Sequence, residues 1–257
     1  MAARILIHAC PQRMWYVNDY LIPSIKAQGL DDITVWLDTD GKGNLFSCMD
    51  CFMECGDAWH LQDDVLISHD FGEVVREFDD GIVCGFCHTL FEPFNRPMVG
   101  EVHAVFMYNS FPCIRIPGDI ARECAEWFYT DAMYRDNYQD WVKSGKHDDG
   151  FWHDFIVEKH GNETVMNLAP CIVEHVDWII GGSIANDWRG YICRASYWED
   201  EYLVDELISK LAPKKGAFLM ATRALNVGKH SRRVTNGNCE SGDCGNYQRK
   251  DVYPGGS

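Results

Sequence analysis

The sequence has no long apolar run and no sign of an export signal. No stretch approaches the roughly 18 consecutive apolar residues that a membrane helix needs. The first residues lead into the strand-like Ile5-Leu6-Ile7 without the apolar stretch and cleavage site of a signal peptide. We therefore expect no membrane insertion and a cytoplasmic location. Twelve cysteines in such a chain favour reduced thiols over a disulfide framework.

Basic residues are scarce and unevenly placed. The chain has 23 Lys and Arg against 39 Asp and Glu, a net charge of −16. Residues 213–257 carry a charge of +5, which leaves −21 on the first 212 residues. So acidic a body argues against a broad DNA-binding face, because phosphate contacts need Lys and Arg. The basic tail is predicted to be flexible and solvated, with local contact to nucleic acid as the alternative.

Apolar runs of strand length alternate with helical patterns over the first 90 residues. Strands are predicted at 5–9, 33–37, 59–62 and 82–86, with helices between them. This order predicts an α/β fold with a Rossmann-type, mostly parallel sheet flanked by helices. We assign residues 1–212 to this domain and residues 213–257 to the tail.

Three polar clusters follow predicted strands, at residues 10–13, 38–44 and 63–64. In parallel sheets, ligands bind beyond the carboxyl ends of the strands, so these clusters are expected to converge on one edge. The pair Asp63-Asp64 is the most informative, because adjacent carboxylates at the end of an apolar strand are costly unless something neutralises them. A divalent cation with oxygen ligands, Mn²⁺ or Mg²⁺, would do so. The alternative is a solvated turn or helix start.

A family resemblance rests on the order of these motifs. A strand, a Cys-Pro-x-Arg loop, a helix, a strand ending in Asp and then His-Leu-Gln-Asp-Asp-Val-Leu-Ile at 60–67 resemble GT-A-fold glycosyltransferases. The chain is similar to the lipooligosaccharide and procollagen galactosyltransferase group, which has Glu-Asp-Asp-Val after a strand. It also resembles glycosyltransferase-like proteins of bacteriophages that modify their DNA bases. The resemblance covers roughly residues 4–200. Gln62 replaces the family's acidic residue, which leaves one fewer carboxylate for a metal.

The resemblance implies a metal-dependent hexosyltransferase that uses a nucleotide-sugar, in the first instance a UDP-sugar. The acceptor would be a hydroxymethylated pyrimidine in phage DNA, with action in the host cytoplasm, or a saccharide. Residues 1–100 would form the nucleotide-sugar-binding half and residues 101–212 the acceptor half.

Roles for individual residues follow from the same resemblance. Asp64 would be the principal ligand of Mn²⁺ or Mg²⁺, with Asp63 near the ribose or the ion. His175, in Pro-Cys-Ile-Val-Glu-His at 170–175, would complete the metal site. The remaining donor contacts, to the base, ribose and diphosphate, are implied for Ala9, Cys10, Pro11, Arg13 and Asp38, with Arg13 on the diphosphate.

A second acidic pair precedes a predicted helix. An inverting glycosyltransferase needs a carboxylate to accept the proton of the acceptor hydroxyl. Asp149 is the first candidate for this base, Asp148 the second and Asp154 the third. A structural role is the alternative, because acids are favoured at helix N-termini by the dipole. A retaining enzyme would not require such a base.

The cysteines support a different hypothesis. Cys48-x-x-Cys51 and Cys84-x-x-Cys87 would make a four-thiolate zinc site, with Cys55, His60 and His88 as further candidates. Packing as small hydrophobic residues is the alternative role for such cysteines. Besides glycosyl transfer, the sequence therefore leaves open a nucleotidyltransferase with a similar nucleotide-binding half and a non-enzymatic zinc-binding interaction module.

Overall fold

The computed structural model describes residues 3–86, 111–161, 164–181, 195 and 198–211, and the backbone of residues 100–103. The tail at 213–257 lies outside the described residues. Within the described part, no helix is both long enough and apolar enough to cross a membrane.

The described strands form a seven-stranded sheet and a two-stranded sheet. The larger sheet has the order β2-β1-β3-β7-β5-β8-β6, and the smaller pairs β4 with β9. Five strands of the larger sheet, β1, β2, β3, β5 and β8, run in one direction, whereas β6 and β7 run against them. The sheet is therefore mostly parallel, as predicted. The strands are β1 (Ile5–Ala9), β2 (Ile33–Leu37), β3 (Ala58–Gln62), β4 (Val65–Ile67), β5 (Ile82–Cys84), β6 (Gly100–His103), β7 (Cys113–Ile116), β8 (Val165–Ala169) and β9 (Val173–His175).

Helices flank the sheet, which makes the fold α/β. The helical segment between the first two strands contains a π-helical turn, Val17–Leu21, which ends two residues before Pro23. Proline has no backbone N–H, so a wider turn beside it relieves the local hydrogen bonding. The segment stops at Gly29, whose φ of 74° lies in the left-handed region that glycine readily adopts. The α-helices are α1 (Met14–Tyr16), α2 (Ile22–Ala27), α3 (Asn44–Glu54), α4 (Phe71–Glu77), α5 (Gly118–Thr130), α6 (Gln139–Ser144), α7 (Asp148–Lys159), α8 (Asp177–Ile180) and α9 (Glu201–Leu211).

The two faces of the sheet bury different helices, because side chains alternate along each strand. On one face Ile5, Ile7 and Leu61 pack with residues of the first helical segment, α4 and α9. On the other face Leu6 and Ile114 pack with α3, α5 and α7. The loops that follow β1, β2 and β3 therefore emerge at one edge, between two helical layers.

Candidate functional site

The polar clusters after β1, β2 and β3 meet at the carboxyl edge of the sheet. The backbone N–H of Asp38 donates to the carbonyl of Ala9 at 3.0 Å. The backbone N–H of Cys10 donates to Asp63 Oδ2 at 2.7 Å. The predicted convergence of the three loops is confirmed.

Asp63 and Asp64 form the tight turn between β3 and β4, and each is only 4% exposed. The small sheet brings β9 beside this turn, because Val65 pairs with His175. His175 Nε2 lies 3.0 Å from Asp64 Oδ2. The late histidine and the acidic pair, more than a hundred residues apart in sequence, are thus direct neighbours.

Arg13 joins the two carboxylates. Its Nη1 lies 2.7 Å from Asp63 Oδ1 and 2.5 Å from Asp64 Oδ2, and all three side chains are largely buried. The short 3₁₀ turn Pro11–Arg13 after β1 directs the side chain to this place. Its Nε donates to the carbonyl of Gly181 at 3.3 Å. We name Arg13, Asp63, Asp64 and His175 the edge cluster.

Burial and neighbouring charges shift the pKa values of Arg13, Asp63 and Asp64 in the edge cluster. Burial alone would raise the pKa of Asp64, but the neighbouring charges of His175 and Arg13 hold it well below its usual range. The pKa of Asp63 is raised by burial and by the charge of Asp64, against the pull of Arg13. Burial would lower the pKa of Arg13, yet Asp64 and Asp63 raise it. Asp64 is therefore the carboxylate that stays ionised over the widest pH range.

The donor set of the edge cluster fits a divalent cation. Asp64 Oδ1 is buried and has no hydrogen-bond partner among the described residues. Two carboxylates and one imidazole are ligands that Mn²⁺ accepts, and Mg²⁺ prefers the oxygens. Arg13 supplies one positive charge to two carboxylates, so one negative charge is left when His175 is neutral. The residues present are compatible with an ion in this position.

Asp38 accepts hydrogen bonds from the backbone of its own loop. Its two carboxylate oxygens accept hydrogen bonds from the N–H groups of Lys42 at 3.1 Å and Gly43 at 3.0 Å. Gly43 has a φ of 91°, and a Cβ there would lie 2.5 Å from the carbonyl oxygen of Gly145. This close approach holds the loop after β2 against the segment that leads into α7.

Asp148 lies at the same edge, on the α3 side of the sheet. Asn44 Nδ2 donates to Asp148 Oδ1 at 2.6 Å, and the Gln62 side chain also hydrogen-bonds it. Asp148 is 6% exposed. Burial, together with the charge of Asp149, raises its pKa to about 7. Asp149 is half-buried and accepts a hydrogen bond from the N–H of Gly150 at 2.7 Å.

The third candidate base is placed differently. Asp154 accepts a hydrogen bond from the hydroxyl of Tyr138 at 3.3 Å, and burial raises its pKa.

Sequence patterns did not indicate Asn44 and Gln62, the two amides beside Asp148. An amide at the strand end, where the related motif has an acid, was the available clue.

Asp148→Asn is expected to remove a pH-dependent loss of stability. In the unfolded chain this carboxyl ionises at about pH 4, whereas in the fold its pKa is about 7. The protonated form therefore favours the fold fully below pH 4, and this contribution is lost as pH rises to about 7. The limiting effect of such a shift is about 4 kcal/mol.

Urea unfolding of the wild type and of Asp148→Asn between pH 4 and pH 8 measures this difference. We expect the stability of the variant relative to the wild type to increase with pH. The reference variant is Asp19→Asn, which removes an acid from an exposed position. A constant difference between Asp148→Asn and the wild type across the range would contradict the assignment.

Two surface hollows are formed by described residues outside the edge cluster. One, of about 430 Å³, is lined by Asp57, which directly precedes β3, and by Arg122 among others. The other, of about 290 Å³, is lined by Tyr16 and Leu207 among others. Neither is lined by Arg13, Asp63 or Asp64. The chemistry of the edge cluster, and not either hollow, marks the candidate site.

No protein-family model matches the chain, and no curated protein matches it. Among solved structures, one from Bacillus anthracis, named as a glucose-1-phosphate thymidylyltransferase in complex with sucrose, is similar with a TM-score of 0.39 and 9% identity. The match covers 65% of this chain and 86% of that chain. A likeness of this size carries no argument about activity.

Proposed function

We propose that the protein is a glycosyltransferase that moves a sugar from a nucleotide-sugar, in the first instance a UDP-sugar, to an acceptor hydroxyl. The observation that carries the proposal is the edge cluster. Two buried carboxylates, an arginine and a histidine meet beyond the carboxyl ends of β1 and β3. This is the edge at which parallel α/β sheets bind ligands.

Asp63, Asp64 and His175 would hold the divalent ion. An ion there, Mn²⁺ or Mg²⁺, would stabilise the charge that develops on the diphosphate leaving group. Arg13 would contact the diphosphate, since its guanidinium can bind phosphate oxygens in place of a carboxylate.

The loop residues Ala9, Cys10 and Pro11 would line the base and ribose. Asp38 would hold the conformation of its loop near the base or ribose, because both of its carboxylate oxygens already accept backbone hydrogen bonds.

For an inverting reaction, Asp148 is the better candidate for the base than Asp149. Its carboxyl is held by Asn44 and Gln62 at the sheet edge, and its pKa near 7 suits proton transfer at neutral pH. The carboxylate form would accept the proton of the acceptor hydroxyl as the hydroxyl oxygen attacks the sugar. Asp149, one residue further along α7, supports the raised pKa through its charge.

A donor-hydrolysis screen tests the proposal. The full chain is incubated with a panel of nucleotide-sugars, with and without Mn²⁺, and release of nucleoside diphosphate is measured. We expect Mn²⁺-dependent release from at least one donor. Release of pyrophosphate from a nucleoside triphosphate and a sugar phosphate would instead identify a nucleotidyltransferase. No turnover of any donor, with no Mn²⁺-dependent binding of nucleotide, would overturn the proposal.

The acceptor is tested separately. Labelled sugar is offered with hydroxymethylated DNA, unmodified DNA and saccharides. The resemblance to phage proteins favours the first, and the basic residues at 223–233 would help to hold it. The charge of −21 on the first 212 residues works against a DNA acceptor. Transfer to saccharides only would remove DNA as the substrate while leaving glycosyl transfer in place.

A further inference from the structure

A second group of metal-ligating side chains lies inside the fold. His8, Cys51 and His60 each place one potential ligand atom within 4.8 Å of the others, the one such group of three in the described part of the chain. His8 and His60 lie on the neighbouring strands β1 and β3, on the face that α3 covers, and Cys51 is on the buried side of α3. None of these residues belongs to the edge cluster.

The group is enclosed by aromatic rings. His60 and Cys51 are fully buried, whereas His8 keeps a small exposed fraction near the end of β1. The two imidazoles stack with centroids 5.2 Å apart. Phe52 lies edge-on to His60 at 5.1 Å, and Phe111 lies 5.7 Å from His8. An apolar shell around nitrogen and sulfur ligands excludes competing water from a bound ion.

Hydrogen bonding leaves this group incomplete. His8 Nε2 and His60 Nδ1 are 2.9 Å apart and share one hydrogen bond. The other nitrogen of His60, Nε2, is buried and has no hydrogen-bond partner within the described ranges. An unsatisfied buried polar atom typically costs about 1–3 kcal/mol. An ion bound at His60 Nε2 would remove this penalty.

We propose that His8, Cys51 and His60 bind one Zn²⁺ ion that fastens α3 to β1 and β3. A thiolate with two imidazoles is a zinc donor set, whereas Mn²⁺ and Mg²⁺ prefer oxygen. Zn–S and Zn–N bonds of about 2.3 and 2.1 Å put tetrahedral ligand atoms roughly 3.5 Å apart, so ligand atoms at the 4.8 Å limit would approach by about 1.3 Å. On binding, Zn²⁺ forms a bond to Cys51 Sγ, and the thiol proton leaves to solvent.

The cysteine next to this site supports the same assignment. Cys51 and Cys55 are one helical turn apart and hydrogen-bonded through their sulfurs. Cys55 is outside the group of three, and its thiol would donate to the Cys51 thiolate. The pairing expected from sequence is different here, because Cys48 and Cys84 are buried outside this group, and Cys87 lies outside the described residues. The proposal does not depend on the glycosyltransferase assignment.

Cobalt spectroscopy tests the site directly. The full chain is stripped with a chelator under reducing conditions and titrated with Co²⁺, and the thiolate-to-cobalt charge-transfer band is recorded. We expect one equivalent to produce this band, together with the intense visible bands of four-coordinate Co²⁺, and Zn²⁺ to displace both. The band requires a sulfur ligand, so binding at Asp63 and Asp64 does not imitate it.

Variants assign the ligands. Cys51→Ser should abolish the charge-transfer band, and His60→Asn should weaken Zn²⁺ binding by more than about 100-fold. Cys48→Ser is the matched control, since Cys48 is equally buried on α3 but outside the group. It should bind like the wild type. Absence of the band in the wild type overturns the proposal, and this outcome does not depend on whether any variant folds. Persistence of the band in a folded Cys51→Ser protein overturns it as well.

Discussion

Asp64→Asn is expected to lower Mn²⁺-dependent turnover of the nucleotide-sugar by at least about 100-fold. Asp64 contacts both Arg13 and His175, and its Oδ1 has no hydrogen-bond partner among the described residues. The amide keeps the shape of the side chain but removes the charge that would hold the cation. The measurement is the steady-state release of nucleoside diphosphate at saturating Mn²⁺.

The control for this variant is Asp19→Asn, which removes one acidic charge from an exposed position on the first helical segment. It should turn over the donor like the wild type. The change also weakens a buried ion pair, so folding of Asp64→Asn must be checked. Circular dichroism and thermal unfolding make this check. A folded Asp64→Asn protein with turnover near the wild-type value would show that the edge cluster is not the active site.

The sequence was sufficient to place the loops of the candidate site. Apolar runs of strand length at 5–9, 33–37 and 59–62 predicted parallel strands, and a polar cluster after each had to emerge at the same edge. The local sequence pattern determines both the strands and the polar clusters that follow them. The contact between residues 10–13 and Asp63 could therefore be predicted. The chemical roles of these residues remain predictions, because proximity does not define an activity.

The partners of the acidic residues could not be derived in the same way. Asp148 and Asp149 are adjacent at the start of α7, and about 100° of helix rotation separates their side chains. The buried residues of α7 include Phe151, Trp152, Phe155 and Ile156, which share one face of the helix. Asp148, three residues before Phe151 and four before Trp152, lies on the same face, which agrees with its burial. Placing Asn44 and Gln62 beside Asp148 needed the tertiary contact itself.

The same limit applies to His8, Cys51 and His60. Strand alternation predicts that Leu6 and His8 share a face, but the register between β1 and β3 and the rotation of α3 determine whether a cysteine meets them. Three cysteines of α3 and its end, Cys48, Cys51 and Cys55, are all buried. Spacing alone could not distinguish the one that lies next to the imidazoles.

Arg13→Gln is expected to destabilise the fold by about 3–5 kcal/mol, because removing one partner leaves a buried charge uncompensated. In a domain of this size that corresponds to a fall in Tm of roughly 6–20 °C. Two carboxylates, each 4% exposed, lose their shared guanidinium in this variant. Thermal unfolding in a chelator-containing buffer measures the loss.

Mn²⁺ should then restore more stability to Arg13→Gln than it adds to the wild type. In the variant the cation meets two carboxylates and His175 without competition, whereas in the wild type the guanidinium already occupies both. At a free concentration 100 times Kd, the ion would contribute about 2.7 kcal/mol. Arg135→Gln is the matched control, since Arg135 also bridges two acids, Asp131 and Glu158, but at the surface. Such exposed pairs contribute about 1 kcal/mol or less, and Mn²⁺ should not change the effect. If Mn²⁺ stabilises Arg13→Gln no more than Arg135→Gln, then Asp63 and Asp64 form a structural ion pair with Arg13 and do not hold a metal.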